Sequence, residues 1–142
     1  MQIDAATRRN LELTSALSGG RDGSLLAVID RTVTAAGARL LERRLSNPSC
    51  DLPEIHSRQE TVRFLLEQSL FRGNLRDALR RVPDMDRALS RLALDRGGPR
   101  DLAAIRAGLT QAEALGPLFA DAPPRLANAA KRSEERRVGK EC

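Results

Sequence analysis

Apolar residues along this chain recur three and four positions apart, and no stretch alternates with a period of two. That spacing predicts helices and no strands. Asp4 is a helix-capping residue, and helix formers follow it from Ala5 to Leu13. Ser18–Gly23 reads as a loop, and Ser24 caps a short apolar turn from Leu25 to Ile29. Thr34 caps a helix to Leu45, which Asn47-Pro48 stops because the residue before proline is driven out of the α region. Asp51 caps a longer helix, with Pro53 tolerated in its first turn and an apolar stripe at Ile55, Val62, Leu65 and Leu66. Further stripes fall at Leu75, Ala78, Leu79 and Val82, and at Met85, Ala88, Leu89, Leu92 and Ala93, separated by Pro83-Asp84. Gly97-Gly98-Pro99 punctuates the chain before a last stripe at Leu102, Ile105, Leu109 and Ala112. Gly116-Pro117 ends that helix, and Pro123-Pro124 opens another. The predicted fold class is all-α, an irregular multi-helix bundle.

Composition agrees with a soluble helical module and narrows its core. The chain has 142 residues, 41% apolar and 30% charged, with 2% aromatic. Its aromatics are Phe64, Phe71 and Phe119, so the core must be built from Leu, Ile, Val and Ala. The net charge of +5 is compatible with a nucleic-acid partner. The arginines alternate with acids at helical spacing, however, which is the pattern of a solvated, ion-paired face. Asp84 with Arg87, Arg91 with Asp95, and Asp77 with Arg81 are the expected surface pairs. Cys50 and Cys142 form neither a metal-ligand spacing nor a disulfide framework, which fits a reducing cytoplasm. The N-terminus shows no secretory pattern, and no apolar run approaches the ~18 residues of a membrane span.

Candidate chemistry is sparse. His56 is the only histidine and has no ligating companion at useful spacing, so it is expected to face solvent or cap. Gly19-Gly20-Arg21-Asp22-Gly23 lacks the lysine and hydroxyl residue that complete a phosphate loop. Gly139-Lys140 is followed by Glu141, so no Walker A motif is present there either. Scattered phenylalanines do not make a base-stacking platform. The basic cluster containing Arg80, Arg81 and Arg87 could touch phosphates, although Asp77, Asp84 and Asp86 interleave with it. No catalytic, cofactor-binding or metal-binding residue is assigned.

The last residues differ in kind from the rest. Positions 1–130 contain no lysine, and Lys131 and Lys140 then arrive within ten residues. Residues 132–142 resemble the translation of sequencing-adapter read-through and are read as a non-native tail. Without them the net charge falls from +5 to +4. Residues 1–131 are read as the native segment, cut short where the tail begins.

Five strings in order carry a family resemblance: Asp4 to Leu13, Ser24 to Asp30, Thr32 to Leu41, Pro83 to Leu94, and Gly98 to Leu102. Together they resemble the opening of the core, or lever, domain of the MutS family of DNA mismatch repair proteins. The residues matching the family's strings are Asp4, Thr7, Asn10, Leu11, Glu12, Thr34, Gly37, Arg39, Leu40, Pro48, Asp84, Arg91, Pro99, Asp101 and Leu102. Their expected roles are structural. Asp4 and Thr34 cap helices, Gly37 permits close helix packing, and Arg39 serves as a buried or bridging ion-pair partner. Pro99 starts a helix, and Leu102 begins its buried stripe. Two departures are visible. Arg44-Leu45 stands where the family has Trp-Leu, and Pro48-Ser49 stands where it has Pro-Leu. Position 44 is expected on the face of Gly37 and Leu41, so a charge replaces an apolar anchor there.

The resemblance implies a non-catalytic segment of a larger repair protein. In such a protein a homodimer clamps mismatched duplex DNA, and an ATPase using ATP and Mg controls the clamp. The core domain's helices couple the two. Partners implied are the connector, clamp and ATPase domains of the same chain; the implied location is the bacterial cytoplasm at the nucleoid. The mismatch-reading domain would lie upstream and the ATPase downstream. The alternative reading is a stand-alone helical module that binds nucleic acid or another protein.

Overall fold

A computed structural model describes residues 3–130, and among these every regular element is a helix. The helices are α1 (Ala5–Asn10), α2 (Leu25–Ile29), α3 (Ala35–Ser46), α4 (Leu52–Glu67), α5 (Ser69–Leu79), α6 (Met85–Ala93) and α7 (Pro99–Leu115). A 3-10 turn, Gly116–Phe119, comes after α7, and residues 124–130 are again helical. The proposed tail at 132–142 lies outside the described residues. The chain divides into two compact units, Met1–Ile55 and His56–Cys142, with the division inside α4.

In the first unit, side-chain caps start the helices as the sequence predicts. Asp4 accepts the Thr7 N–H at 2.8 Å, Ser24 Oγ accepts the Ala27 N–H at 3.2 Å, and Thr34 Oγ1 accepts the Gly37 N–H at 3.0 Å. Each such cap is worth about 1 kcal/mol, because it satisfies an amide that the first helical turn leaves without a partner. Asn47 closes α3 ahead of Pro48. α1 differs from expectation: it stops at Asn10, not Leu13. Glu12 takes a left-handed conformation, φ +48°. The Glu12 N–H donates to Arg9 O, and the Leu13 N–H reaches back to Arg8 O at 3.2 Å. That paired closure is a Schellman stop, built on an acid in place of the usual glycine.

The second unit is organised on α7. α6 packs along α7, and α5 and the 3-10 turn also lie against it. Ala88 is fully buried at the α6 contact. Opposite, a Cβ at Gly108 would run into the Met85 side chain, 2.5 Å from its Cγ. Small residues therefore set the approach of these two helices. This corrects the expected stripe on α7. Leu102 is 59% exposed and Leu109 is 44% exposed, whereas Asp101 and Gly108 are buried. At these two positions the inner face is displaced by one residue, carried by an aspartate and a glycine that apolar periodicity does not count, while Ile105 and Ala112 are half-buried as the stripe requires. The α4 stripe is likewise incomplete, with Val62 and Leu66 exposed.

The three phenylalanines are not scattered. Phe64 and Phe71 meet edge to face with ring centres 5.3 Å apart, and Phe71 meets Phe119 in the same way at 6.1 Å. They tie α4, α5 and the 3-10 turn together at roughly 0.5–1.5 kcal/mol per pair beyond area burial. Arg72 Nη1 donates to Leu65 O at 3.0 Å, satisfying a carbonyl that the end of α4 leaves free.

Candidate functional site

The most elaborated polar arrangement among the described residues is the junction of α6 and α7. α6 ends in a second Schellman stop. Asp95 sits at φ +54°, its N–H donates to Leu92 O at 3.1 Å, and the Arg96 N–H reaches Arg91 O at 2.9 Å. The next turn folds tightly over α6. A Cβ at Gly97 would lie 2.6 Å from Leu92 Cγ and 2.9 Å from its Cα, so only glycine fits. Gly98 and Pro99 then open α7, with Pro99 in the first turn, where its missing N–H costs nothing.

Asp101 joins the two helices. Its Oδ2 accepts the Gly98 N–H at 3.0 Å, and its own N–H donates to Gly98 O at 2.9 Å. Its Oδ1 accepts both Nε, at 2.8 Å, and Nη2 of Arg91. The Asp101 side chain is 10% exposed and that of Arg91 is 46% exposed. The Arg91 guanidinium and the Gly98 amide therefore hold the Asp101 carboxyl below the ordinary carboxylate range. Reciprocally, Asp101 raises the pKa of Arg91. A carboxylate in the first turn of α7 also faces the positive end of the helix dipole. The result is a clasp that fixes the α6–α7 corner by geometry as well as charge.

Several expected pairings change partners. Arg91 bonds Asp101 across the corner and not Asp95 on its own helix. Asp77 is bonded by Arg80 and not by Arg81. The Asp84 carboxylate accepts the backbone N–H of Arg87 at 3.3 Å, as an N-cap, so the contact is not with the Arg87 guanidinium. For Arg91 and Asp84 a corner or capping contact offers a fixed geometry that two flexible surface side chains cannot match, whereas Asp77–Arg80 is an exposed pair one residue closer in spacing than expected.

The remaining motif residues divide by role. Thr7 Oγ1 donates to Asp4 Oδ2 at 2.7 Å, and the Thr7 amide and hydroxyl together hold the Asp4 carboxyl below its ordinary value. Asn10 closes α1, Leu11 is its exposed C-cap, and Pro48 comes just after the end of α3. Gly37 has a different reason from the one expected. A Cβ there would lie 2.8 Å from Thr34 Oγ1, so glycine makes room for the cap and not for another helix. No residue of α3 is buried, so Arg39 is not a buried partner, and Leu40 is half-buried. Arg44 is exposed while Leu41 and Leu45 are half-buried, so the charge stands off the inner face. Arg80, Arg81 and Arg87 are exposed, as is His56.

In the glycine-bearing loop the Gly19 N–H goes to Ala16 O and the Ser24 N–H to Arg21 O, so these donors are already occupied. Among the described residues no three metal-ligating side chains gather.

Among the described residues the segment is all-helical, and its polar side chains cap helices and close a corner, which defines a helical structural module. Comparison with known proteins then identifies the family. The model for MutS domain III matches residues 6–138, and the chain belongs to that family. It is 70% identical over 128 residues to the DNA mismatch repair protein MutS of Cereibacter sphaeroides (strain ATCC 17025), covering 89% of this chain and 15% of that protein. The corresponding figures are 71% over 119 residues for MutS of Paracoccus denitrificans, covering 84% and 14%. For MutS of Dinoroseobacter shibae they are 65% over 135 residues, covering 89% and 15%. The chain thus spans about one-seventh of the length of these curated relatives. No helix among the described residues is long and apolar enough to cross a membrane.

Proposed function

We propose that this chain is a mechanical segment of a DNA mismatch repair protein, coupling an ATPase domain to the grip on mismatched duplex DNA. The observation that carries the reading is the family match together with the Arg91–Asp101 clasp at the α6–α7 corner. A lever transmits displacement only if its corners do not yield. Here the corner is fastened by a helix stop, a glycine that admits no side chain, and a buried carboxylate with two kinds of donor. ATP with Mg, the homodimer and the mismatched duplex belong in this reading to the longer protein. The connector, clamp and ATPase domains are the partners of this segment, and the compartment is the bacterial cytoplasm at the nucleoid. Arg81 and Arg87 are exposed to phosphate contact, Arg80 would have to give up Asp77 for it, and none of the three is needed for the role.

The test is a segment exchange. The chain replaces its counterpart in the Cereibacter sphaeroides relative, and mismatched-duplex binding and ATP-triggered release are measured. Binding and release at near-native levels are expected. Full ATP-triggered release from the exchanged protein after the α6–α7 corner is broken by Arg91→Ala would reject the lever reading.

A further inference from the structure

Glu12 occupies a backbone region that non-glycine residues enter at a cost. Glycine would close the same helix stop without that strain. A glutamate there implies that its side chain offsets the difference, and the structure shows where. Glu12 Oε1 accepts the Leu17 N–H at 2.7 Å, while Glu12 O accepts the Leu25 N–H at 2.9 Å. Next to it, Leu13 O accepts the Leu26 N–H at 2.9 Å. The two carbonyls thus take up amides from the first turn of α2, and Ser24 Oγ caps a third. Leu13, Ser24 and Leu26 are buried at this base.

The segment between Leu13 and Ser24 is different. Leu17 is exposed, and Gly19, Gly20 and Gly23 all have positive φ. The Ala16–Gly20 turn bonds lie within the segment, and the Glu12 carboxylate reaches its Leu17 amide from outside. At the far end Arg21 pairs with Asp30 at 2.5 Å, and the Arg21 carbonyl accepts the Ser24 N–H at 3.1 Å and the Ser24 hydroxyl at 2.6 Å, so that end is hinged on the buried Ser24.

We propose that residues 14–23 form a releasable strap latched by the Glu12 carboxylate, able to open while α1 and α2 stay docked through the Glu12 and Leu13 carbonyls. One residue thereby serves two tiers, its main chain holding the base and its side chain holding the strap. The strap depends only on the first unit's geometry and is independent of the lever reading.

Amide hydrogen exchange on the full chain tests it, read at Leu17, Leu25 and Leu26. In Glu12→Gly the strain is relieved and the acceptor removed. Leu17 protection is expected to fall roughly threefold to tenfold, the loss of one hydrogen bond, while Leu25 and Leu26 keep theirs. Glu12→Gln retains an acceptor oxygen and is expected to hold Leu17 within about twofold of the parent. Unchanged Leu17 protection in Glu12→Gly would overturn the latch. So would equal loss at all three amides, which would make the strap and base a single unit. Failure of Glu12→Gln to rescue Leu17 would also overturn the carboxylate's role as acceptor.

Discussion

α1 and α6 end in the same way, yet each is fastened differently to the next helix. Both close on a left-handed acid, Glu12 in one and Asp95 in the other, with an arginine carbonyl, Arg8 or Arg91, receiving the second amide. After Glu12 the chain wanders through a glycine-rich loop before α2, and the Glu12 side chain reaches forward to hold it. After Asp95 the chain turns at once into α7. There the acid is exposed, and fastening falls to Gly97, packed on Leu92, and to the Arg91–Asp101 clasp. A helix stop therefore fixes where a helix ends but not where the next begins. One corner adds a side chain to backbone bond and stays partly releasable; the other adds an ion pair and close packing and becomes stiff.

The largest effect is expected from the base of the first corner. Leu26 is 1% exposed, and Leu26→Ala should cost about 2–5 kcal/mol, read as a lowered denaturation midpoint. Next comes the second corner. Gly97→Ala should destabilise by about 1–3 kcal/mol, because the new methyl meets the Leu92 main chain as well as its side chain. If Gly97→Ala melted like the parent, the second corner would not be closely packed.

A third test separates the corners by pH. The Asp101 carboxyl is held below its ordinary range by Arg91 and Gly98, so its stabilising contribution is full above the ordinary carboxylate value and is lost as pH falls below about 4. Asp101→Asn should flatten part of the acid dependence of unfolding while lowering stability at neutral pH. Asp4 and Asp30, also held low by their bonds to Thr7 and Thr32, should keep the rest. An acid limb of unchanged steepness in Asp101→Asn would remove the clasp from the stability of the corner. The smallest effect is expected at Asp95. Its side chain is exposed, so Asp95→Gly should only relieve strain and leave stability equal or raised by up to about 1 kcal/mol, in contrast to Glu12→Gly.

Much of this is legible in the sequence, and the misses have physical reasons. The caps at Asp4, Ser24 and Thr34 come from short polar side chains ahead of apolar periodicity, and all three accept amide hydrogen bonds in the structure, whereas at Asp84 the sequence suggests a surface pair with Arg87 and the structure shows a cap. Helix propensity carries α1 three residues too far, because glutamate gives no sign that it will adopt a positive φ. Apolar periodicity misses part of the inner face of α7 because Asp101 and Gly108 are buried for reasons other than hydrophobicity, one by its hydrogen bonds and the other by the approach of Met85. The clasp itself joins residues ten positions apart on two helices, outside the three- and four-residue spacing that reveals pairs on one helix. The phenylalanine contacts likewise depend on how three elements fold back on each other.

The decisive measurement is a double-mutant cycle on the clasp in the exchanged Cereibacter sphaeroides protein. Arg91→Ala, Asp101→Ala and the double variant are compared for the ratio of mismatched-duplex affinity without and with ATP. Each single variant should reduce that ratio, Asp101→Ala at least as much as Arg91→Ala because it also frees the Gly98 amide, and the double by no more than Asp101→Ala, at a coupling cost of roughly 0.5–2 kcal/mol. Full ATP response in all three, with the clasp broken, would contradict a stiff α6–α7 corner as the element that transmits the signal.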